Sequence, residues 1–183
     1  ISEYVLEMKR IDKSFFGVKI LDSVTLQVRR GEVHALVGEN GAGKSSLMKI
    51  LMGIYTSDSG EIILDGQPVA FHHPREAIAH GVSMIHQELM PVMDMEVAEN
   101  IFLGREIAAR PAGLLGLVNK KEQRLQTAKL FDRMGISIDP KRLMRSLSVA
   151  QMQLVEIVKA LSLSAKVVIM DEPTSAITDK EVD

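Results

Sequence analysis

The chain contains no cysteine among its 183 residues. This absence excludes a disulfide framework, a zinc site built on thiolates and a catalytic thiol, and it suits a reducing compartment. No apolar run approaches the roughly 20 residues that span a bilayer, and the first residues lack a signal-peptide pattern. A role at a membrane therefore requires docking on a membrane-embedded partner.

A strong excess of positive charge is also absent. The formal net charge is −2 and the pI is about 6.2, which argues against a nucleic-acid binder with a broad basic surface. The length allows one domain with room for an inserted subdomain. The chain begins at Ile1 and stops at Asp183 within a predicted helix, so both ends look cut and we expect a piece of a longer protein.

What the chain does have is a phosphate-binding motif, the P-loop pattern G-x-x-x-x-G-K-[ST]. It occupies Gly38, Glu39, Asn40, Gly41, Ala42, Gly43, Lys44 and Ser45 without a mismatch. The glycines let backbone N–H groups surround phosphates, Lys44 supplies a positive charge, and the Ser45 hydroxyl suits Mg²⁺. Residues 32–37 predict a short buried strand before the loop, and Lys44 to Met52 predicts a helix after it. The alternative is an ordinary glycine-rich turn.

The remaining pattern predicts an α/β core with a helical insert. Alternating residues indicate strands at 5–11 and 24–28, and a hairpin at 60–71 turns at Asp65-Gly66. A short helix at 74–80 and a strand at 81–85 follow. Further helices are predicted at 97–104, between Asn119 and Gly135, and at 148–163, before a strand at 165–170. On the helix after Asn119, one apolar face is expected to comprise Leu125, Ala128, Phe131 and Met134.

An acidic pair follows the last predicted strand. Asp171 and Glu172 lie at the carboxyl end of the strand, where ligands of open α/β sheets bind. Asp171 is placed to hold Mg²⁺, and Glu172 is placed to orient or deprotonate the water that attacks a γ-phosphate. The alternative is a solvated acidic turn, which the nearby P-loop motif disfavours.

Three sequence segments together resemble motifs of the nucleotide-binding domain of ATP-binding-cassette (ABC) transporters. They are the P-loop, Ile85-His86-Gln87-Glu88-Leu89 and Met170-Asp171-Glu172-Pro173-Thr174-Ser175-Ala176. The flanking residues are more narrowly similar to the N-terminal cassette of monosaccharide-import ATPases, which carry two fused cassettes. The resemblance implies an α/β fold with a P-loop NTPase (RecA-like) core, an antiparallel β subdomain and an inserted α-helical subdomain. The implied regions are 1–87, 88–147 and 148–183.

The resemblance also implies roles for individual residues. ATP and Mg²⁺ would be bound, with Phe15 stacking on adenine and Phe16 as the alternative, although core packing is the preferred role for Phe16. The implied nucleotide contacts are Phe15, Gly38, Glu39, Asn40, Gly41, Ala42, Gly43, Lys44, Ser45, Ser46, Gln87, Asp171 and Glu172. The implied catalytic residues are Glu172, Gln87 and Lys44, and the implied Mg²⁺ ligands are Ser45, Gln87 and Asp171.

The segment Leu147-Ser148-Val149-Ala150-Gln151 matches the signature segment, normally Leu-Ser-Gly-Gly-Gln, without its glycines. In the family this segment contacts the nucleotide of the opposite cassette, so Ser148 and Gln151 are expected to act in trans. Val149 and Ala150 add β-carbons where close backbone approach is needed. The D-loop matches 175–179. The family's switch histidine would lie beyond Asp183, and His34 is expected to be a buried core histidine.

The resemblance implies an ATP-hydrolysing subunit that powers sugar import. Its partners would be a second cassette, permease membrane subunits and, indirectly, an extracytoplasmic sugar-binding protein, with no nucleic acid. It would lie peripherally on the cytoplasmic face of the membrane, and Met90 to Met95 are candidates for the permease contact. The alternative is a regulatory or non-transport nucleotide-binding module with little turnover. The 183-residue piece alone is expected to hydrolyse ATP near background.

Overall fold

The computed structural model describes residues 3–85, 90–108, 117–163 and 165–170. Within these ranges it contains six strands, five α-helices and a short 3-10 helix at Met144–Ser146. The strands are β1 (Tyr4–Phe15), β2 (Val18–Arg29), β3 (Ser59–Leu64), β4 (Gln67–Val69), β5 (Val82–Ile85) and β6 (Val167–Met170). The helices are α1 (Lys44–Leu51), α2 (Pro74–Ala79), α3 (Val97–Ile101), α4 (Lys120–Met134) and α5 (Val149–Leu161). The described residues form two compact units, one within 1–84 and 165–169 and the other within 85–164 and at residue 170.

The first unit is built on an antiparallel sheet in the order β2-β1-β3-β4. The predicted hairpin is confirmed, since Asp65 and Gly66 adopt positive φ angles of 58° and 78° between β3 and β4. The strands β5 and β6 pair separately. The core of this unit packs one face of the sheet against α1 and includes Met8, Ile11, Leu51, Ile62 and Val82. This packing fixes the start of α1, and with it the P-loop, next to the sheet.

The predicted strand at residues 32–37 is wrong. The segment has no regular secondary structure, and Val33 and Val37 are 100% and 88% exposed. A strand is stabilised by ladder hydrogen bonds to a neighbour, and no described strand pairs with this segment. The prediction that His34 is buried is also wrong. Its side chain is exposed, and its Nδ1 lies 3.1 Å from Glu32 Oε1.

The carboxylate of Asp12 joins β1 to both β2 and β3. Asp12 on β1 accepts hydrogen bonds from the Ser59 hydroxyl (2.6 Å) and the Ser23 amide (3.0 Å), and it pairs with Lys19 Nζ at 2.9 Å. These partners, led by Ser59, lower the pKa of Asp12 to about 2 from its ordinary 3.8. Because they favour the ionised form, the stabilisation is present above pH 3.8 and is lost as the pH falls toward about 2.

We therefore expect Asp12→Asn to flatten the acid limb of the stability profile. The free energy of unfolding of the wild type falls between pH 3.8 and about 2, and the variant loses the part of that fall which Asp12 contributes. Urea unfolding at several pH values measures it. Asp132→Asn, a change at an exposed position on α4, is the control and keeps the wild-type slope. Equal slopes in wild type and Asp12→Asn would contradict the assignment.

The second unit packs α3, α4 and α5 around a separate apolar core. Its buried members include Val97, Ile101, Phe131, Met144, Val155 and Val158. Two ion pairs join α3 to α4, from Glu96 to Arg124 and from Glu99 to Lys120, each at 2.6 Å. No helix within the described ranges is long and apolar enough to cross a membrane.

The predicted ends of α4 and the predicted start of α5 are confirmed, whereas α3 ends at Ile101 instead of the predicted Gly104. The predicted apolar face of α4 is wrong except at Phe131, which is buried. Asn119 caps α4 by accepting from the Glu122 amide, and Gly135 ends the helix at a φ of 66°. The buried positions on α4 are Gln123, Thr127 and Phe131, whereas Leu125 and Met134 are 49% and 39% exposed. The helix thus buries a face with the i, i+4 spacing, but two of its three members are polar.

Candidate nucleotide-binding site

The P-loop is folded around the side chain of Lys44. Lys44 Nζ donates to the carbonyl oxygens of Gly38 and Glu39 at 2.6 Å and 2.8 Å. The Ala42 amide donates to the Glu39 carbonyl at 3.1 Å, which closes the turn. Residues 38–42 are exposed. The ammonium group is therefore held at an accessible loop, where an incoming anion can exchange for its carbonyl partners.

The start of α1 supplies further donors. Gly43 is the N-cap and offers no side-chain cap, and the first intrahelical bond runs from the Leu47 amide to the Gly43 carbonyl at 2.9 Å. The amides of Lys44, Ser45 and Ser46 consequently have no acceptor within the helix. The first turn carries no acidic residue, so the positive end of the helix dipole is uncompensated. These features fit a phosphate group, and the exposed Ser45 hydroxyl fits a ligand of Mg²⁺.

Gly43 is the position where the loop requires glycine. Its φ is +87°, a backbone conformation that side chains disfavour. A β-carbon there would lie 2.7 Å from Leu21 Cδ2 and 3.1 Å from the Ile20 carbonyl oxygen. The P-loop therefore lies directly against β2, a few residues beyond the turn that joins β1 to β2.

That turn carries the two aromatic candidates for base stacking. Phe15 is half-buried, with its ring edge-on to Tyr55 at a centroid distance of 5.0 Å and an interplanar angle of 68°. Lys13 Nζ lies 5.3 Å from the centre of the Phe15 ring. Phe16 is fully exposed at a φ of 50°, so the preferred core role for Phe16 is wrong. It occupies the first position of a Phe16-Gly17 turn, which projects the side chain away from the sheet.

The signature segment forms the start of α5 in the second unit. Ser148 is the N-cap, its hydroxyl accepts from the Gln151 amide at 3.2 Å, and Gln151 Oε1 accepts from the Ser148 amide at 3.1 Å. This capping box confirms the predicted start of the helix. Both side chains proposed to act in trans are therefore engaged in the cap. The Val149 side chain beside them is 53% exposed.

Several predicted site residues lie outside the described residues. They are Gln87, Asp171, Glu172 and the D-loop at 175–179. The structure thus places the phosphate-binding loop and the aromatic pair, and the roles of the remaining residues stay predictions. Among the described residues, no three acidic or histidine side chains are grouped to hold a metal ion.

Two neighbours of Phe15 were missed by the sequence analysis. Tyr55 follows α1, and Asp58 precedes β3 and contacts the backbone next to Phe15. An aromatic residue shortly after the P-loop helix was the only available signal for Tyr55. Asp58 resembles any loop aspartate, so only the folded structure identifies its partners.

Comparison with known proteins identifies the family to which this chain is similar. The family model described as "ABC transporter" matches residues 21–175. A protein of Geobacillus kaustophilus named for ribose, galactose and methyl galactoside import ATP binding is 59% identical over 180 residues, 98% of this chain and 35% of its own length. A galactose/methyl galactoside import ATP-binding protein of Clostridium tetani is 51% identical over 178 residues, 97% of this chain and 35% of its own length.

Solved structures agree as well. An ATP-binding cassette of an ABC transporter in its ADP conformation superposes with a TM-score of 0.82 at 29% identity, covering 97% of this chain and 72% of that one. A nucleotide-free ATP-binding cassette superposes with a TM-score of 0.79, also at 29% identity, covering 96% of this chain and 71% of that one. These likenesses confirm the predicted fold class. The chain spans about a third of the length of the curated relatives it matches. With most of its length matched by the family model, the chain belongs to the ABC transporter family.

Proposed function

We propose that this chain is the ATP-binding and ATP-hydrolysing part of a protein that powers sugar import. The observation that carries the proposal is the P-loop, with Lys44 Nζ held at 2.6 Å and 2.8 Å from two loop carbonyls beside an uncapped helix start. The names of the relatives, which specify ribose and galactose import, support the substrate class. They also disfavour the regulatory or non-transport module.

Different residues of this chain would bind different parts of the nucleotide. Lys44 and the amides at the start of α1 hold the β- and γ-phosphates, and Phe15 stacks on the adenine ring. Ser45, Gln87 and Asp171 would hold Mg²⁺, which when bound neutralises charge on the phosphate oxygens. Glu172 would orient the attacking water and accept its proton. Positioning and electrostatic stabilisation account for most of the catalysis of phosphoryl transfer.

We further propose three partners and a location. Permease subunits would contact the segment that includes Met90 and Met93, whose side chains are 82% and 46% exposed. Asn100 fixes this segment, since its buried amide group exchanges two hydrogen bonds with the Val92 backbone at 2.8 Å and 3.1 Å. A second cassette would supply a signature segment, and an extracytoplasmic sugar-binding protein would deliver the sugar. The protein would lie on the cytoplasmic face of the membrane.

Sugar uptake in cells tests this function. We expect deletion of the gene to abolish high-affinity uptake of radiolabelled ribose or galactose, and the wild-type gene to restore it. A gene carrying Lys44→Ala should fail to restore uptake, because the P-loop has lost its charge. A gene carrying Lys121→Ala, a change at an exposed position on α4, is the matched control and should restore it. Unchanged uptake of both sugars after deletion would contradict the proposal.

A further inference from the structure

The loop before β3 is attached to β1 by Asp58. The Asp58 amide donates to the Asp12 carbonyl at 2.8 Å. Its carboxylate makes two more contacts, because Oδ1 accepts from Lys13 Nζ at 2.8 Å and Oδ2 accepts from the Ser14 amide at 2.7 Å. One side chain thus fixes both residues that immediately precede Phe15, through a backbone bond at one and an ion pair at the other.

These bonds determine what surrounds the Phe15 ring. Lys13, held by Asp58, places its ammonium 5.3 Å from the ring centre. Tyr55, three residues before Asp58 on the same loop, meets the ring edge-on at 5.0 Å. The loop therefore supplies one neighbour of the ring directly and holds the other through an ion pair. Either contact depends on the loop remaining against β1.

The same loop connects Phe15 to the P-loop helix. The Tyr55 amide donates to the Lys49 carbonyl at the end of α1 at 3.2 Å, and Lys49 Nζ lies 5.5 Å from the Tyr55 ring. Since α1 begins at Lys44, the loop joins the phosphate-binding end of the site to the aromatic end. The distance between these ends must match the length of a nucleotide.

We infer that Asp58 is a positioning residue that sets the orientation of the Phe15 ring for the base of the nucleotide. It acts through Ser14, Lys13 and Tyr55 and does not itself contact the nucleotide. The inference rests on the proposed function, in which Phe15 stacks on adenine. It goes beyond the proposed function, because it assigns control of the affinity for the base to Asp58, which lies in the loop before β3 and not next to Phe15 in the sequence. Consistent with a fixed ion pair, the hydrogen bond from Lys13 lowers the pKa of Asp58.

A purely structural role for Asp58 makes a different prediction. Loosening the sheet would lower the affinity of the site for every ligand, whereas misplacing Phe15 would lower the affinity only for ligands that carry a base. Asp12 provides the matched control, because its carboxylate also joins β1 to β3 through Ser59, and the described contacts of that carboxylate include neither Lys13 nor Ser14. Asp12→Asn therefore reports the effect of a weakened sheet connection alone.

Calorimetry with two ligands separates the roles. The ligands are the magnesium complex of a non-hydrolysable ATP analogue and inorganic tripolyphosphate. We expect Phe15→Ala to lower the affinity for the analogue about 10- to 100-fold, which is the range for removing an aromatic side chain that stacks on a base. Asp58→Ala should weaken the analogue roughly 3- to 10-fold, because the ring stays present but is misplaced. Neither variant should change the affinity for tripolyphosphate, and any loss of affinity in Asp12→Asn should be equal for the two ligands.

A double variant provides the decisive comparison. In the Phe15→Ala background, Asp58→Ala should cause no further loss, since the ring that it positions is gone. Equal losses for the analogue and tripolyphosphate, no loss for the analogue, or independent losses in the double variant would each overturn the inference. If Asp58→Ala fails to fold, Asp58→Asn keeps an acceptor for Ser14 and is judged by the same outcomes. Failure of the proposed function has a separate signature, namely unchanged analogue binding in both Lys44→Ala and Phe15→Ala.

Discussion

Lys44→Ala is expected to abolish measurable binding of MgATP. The Lys44 ammonium is held at an exposed loop by two carbonyl contacts of 2.6 Å and 2.8 Å, and phosphate oxygens can replace these carbonyls as acceptors. A hydrogen bond to a charged group contributes about 1.5–3 kcal/mol. Loss of two such bonds to the β- and γ-phosphates lowers the affinity about 100-fold or more.

The measurement is calorimetry of the non-hydrolysable analogue with wild type and variant. Because Lys44 also bonds the P-loop carbonyls, urea unfolding should accompany it to show that the variant remains folded. Lys121→Ala on α4 is the charge-matched control and should bind as the wild type does. Equal affinity in wild type and Lys44→Ala would contradict the assignment of the phosphate site.

Elements with local end signals were predicted well from the sequence. The start of α4 at Asn119, its end at Gly135 and the start of α5 at Ser148 all depend on contacts within a few residues. The Asp65-Gly66 turn is similarly local, because its positive φ angles suit those residue types. Such elements can be predicted from a short stretch of sequence, because the residues whose interactions fix them all lie within that stretch.

Elements that depend on distant partners were predicted less well. The apolar residues at 32–37 suggest a buried strand, but a strand also needs neighbours to bond, and no described strand pairs with this segment. On α4, the buried positions include Gln123 and Thr127 rather than Leu125. Packing against other elements decides which face of a weakly amphipathic helix is buried, and the sequence of the helix alone lacks that information.

The candidate site shows the same division. The P-loop is contiguous in sequence, so its lysine, glycines and helix start were identified before the fold was known. The aromatic end combines Phe15 with Tyr55 and Asp58, which lie about 40 residues further along the chain. Their contacts arise because β3 pairs with β1, and that pairing is a property of the sheet. The P-loop end of the candidate site could therefore be located from the sequence, whereas the surroundings of Phe15 could not.

The second large effect is expected for Glu172→Gln, at a position that lies outside the described residues. The amide cannot accept a proton from the attacking water, so the variant would lose the general base proposed here. Proton transfer by a positioned side chain contributes about 10²- to 10⁴-fold, and we expect turnover to fall by that factor. ATP binding should be preserved, because Lys44 and the start of α1, the proposed phosphate contacts, are unchanged.

Phosphate release by the full-length protein that contains this chain measures this effect, together with binding of ATP to the same preparation. Glu61→Gln, a change at an exposed glutamate on β3, is the matched control and should keep wild-type turnover. With ATP bound and hydrolysis blocked, Glu172→Gln should also accumulate the closed pair of cassettes, which crosslinking between the two cassettes detects. The combination distinguishes a lost base from a lost binding site, since Lys44→Ala should show neither bound ATP nor the closed pair. Wild-type turnover in Glu172→Gln would show that the proton is accepted elsewhere.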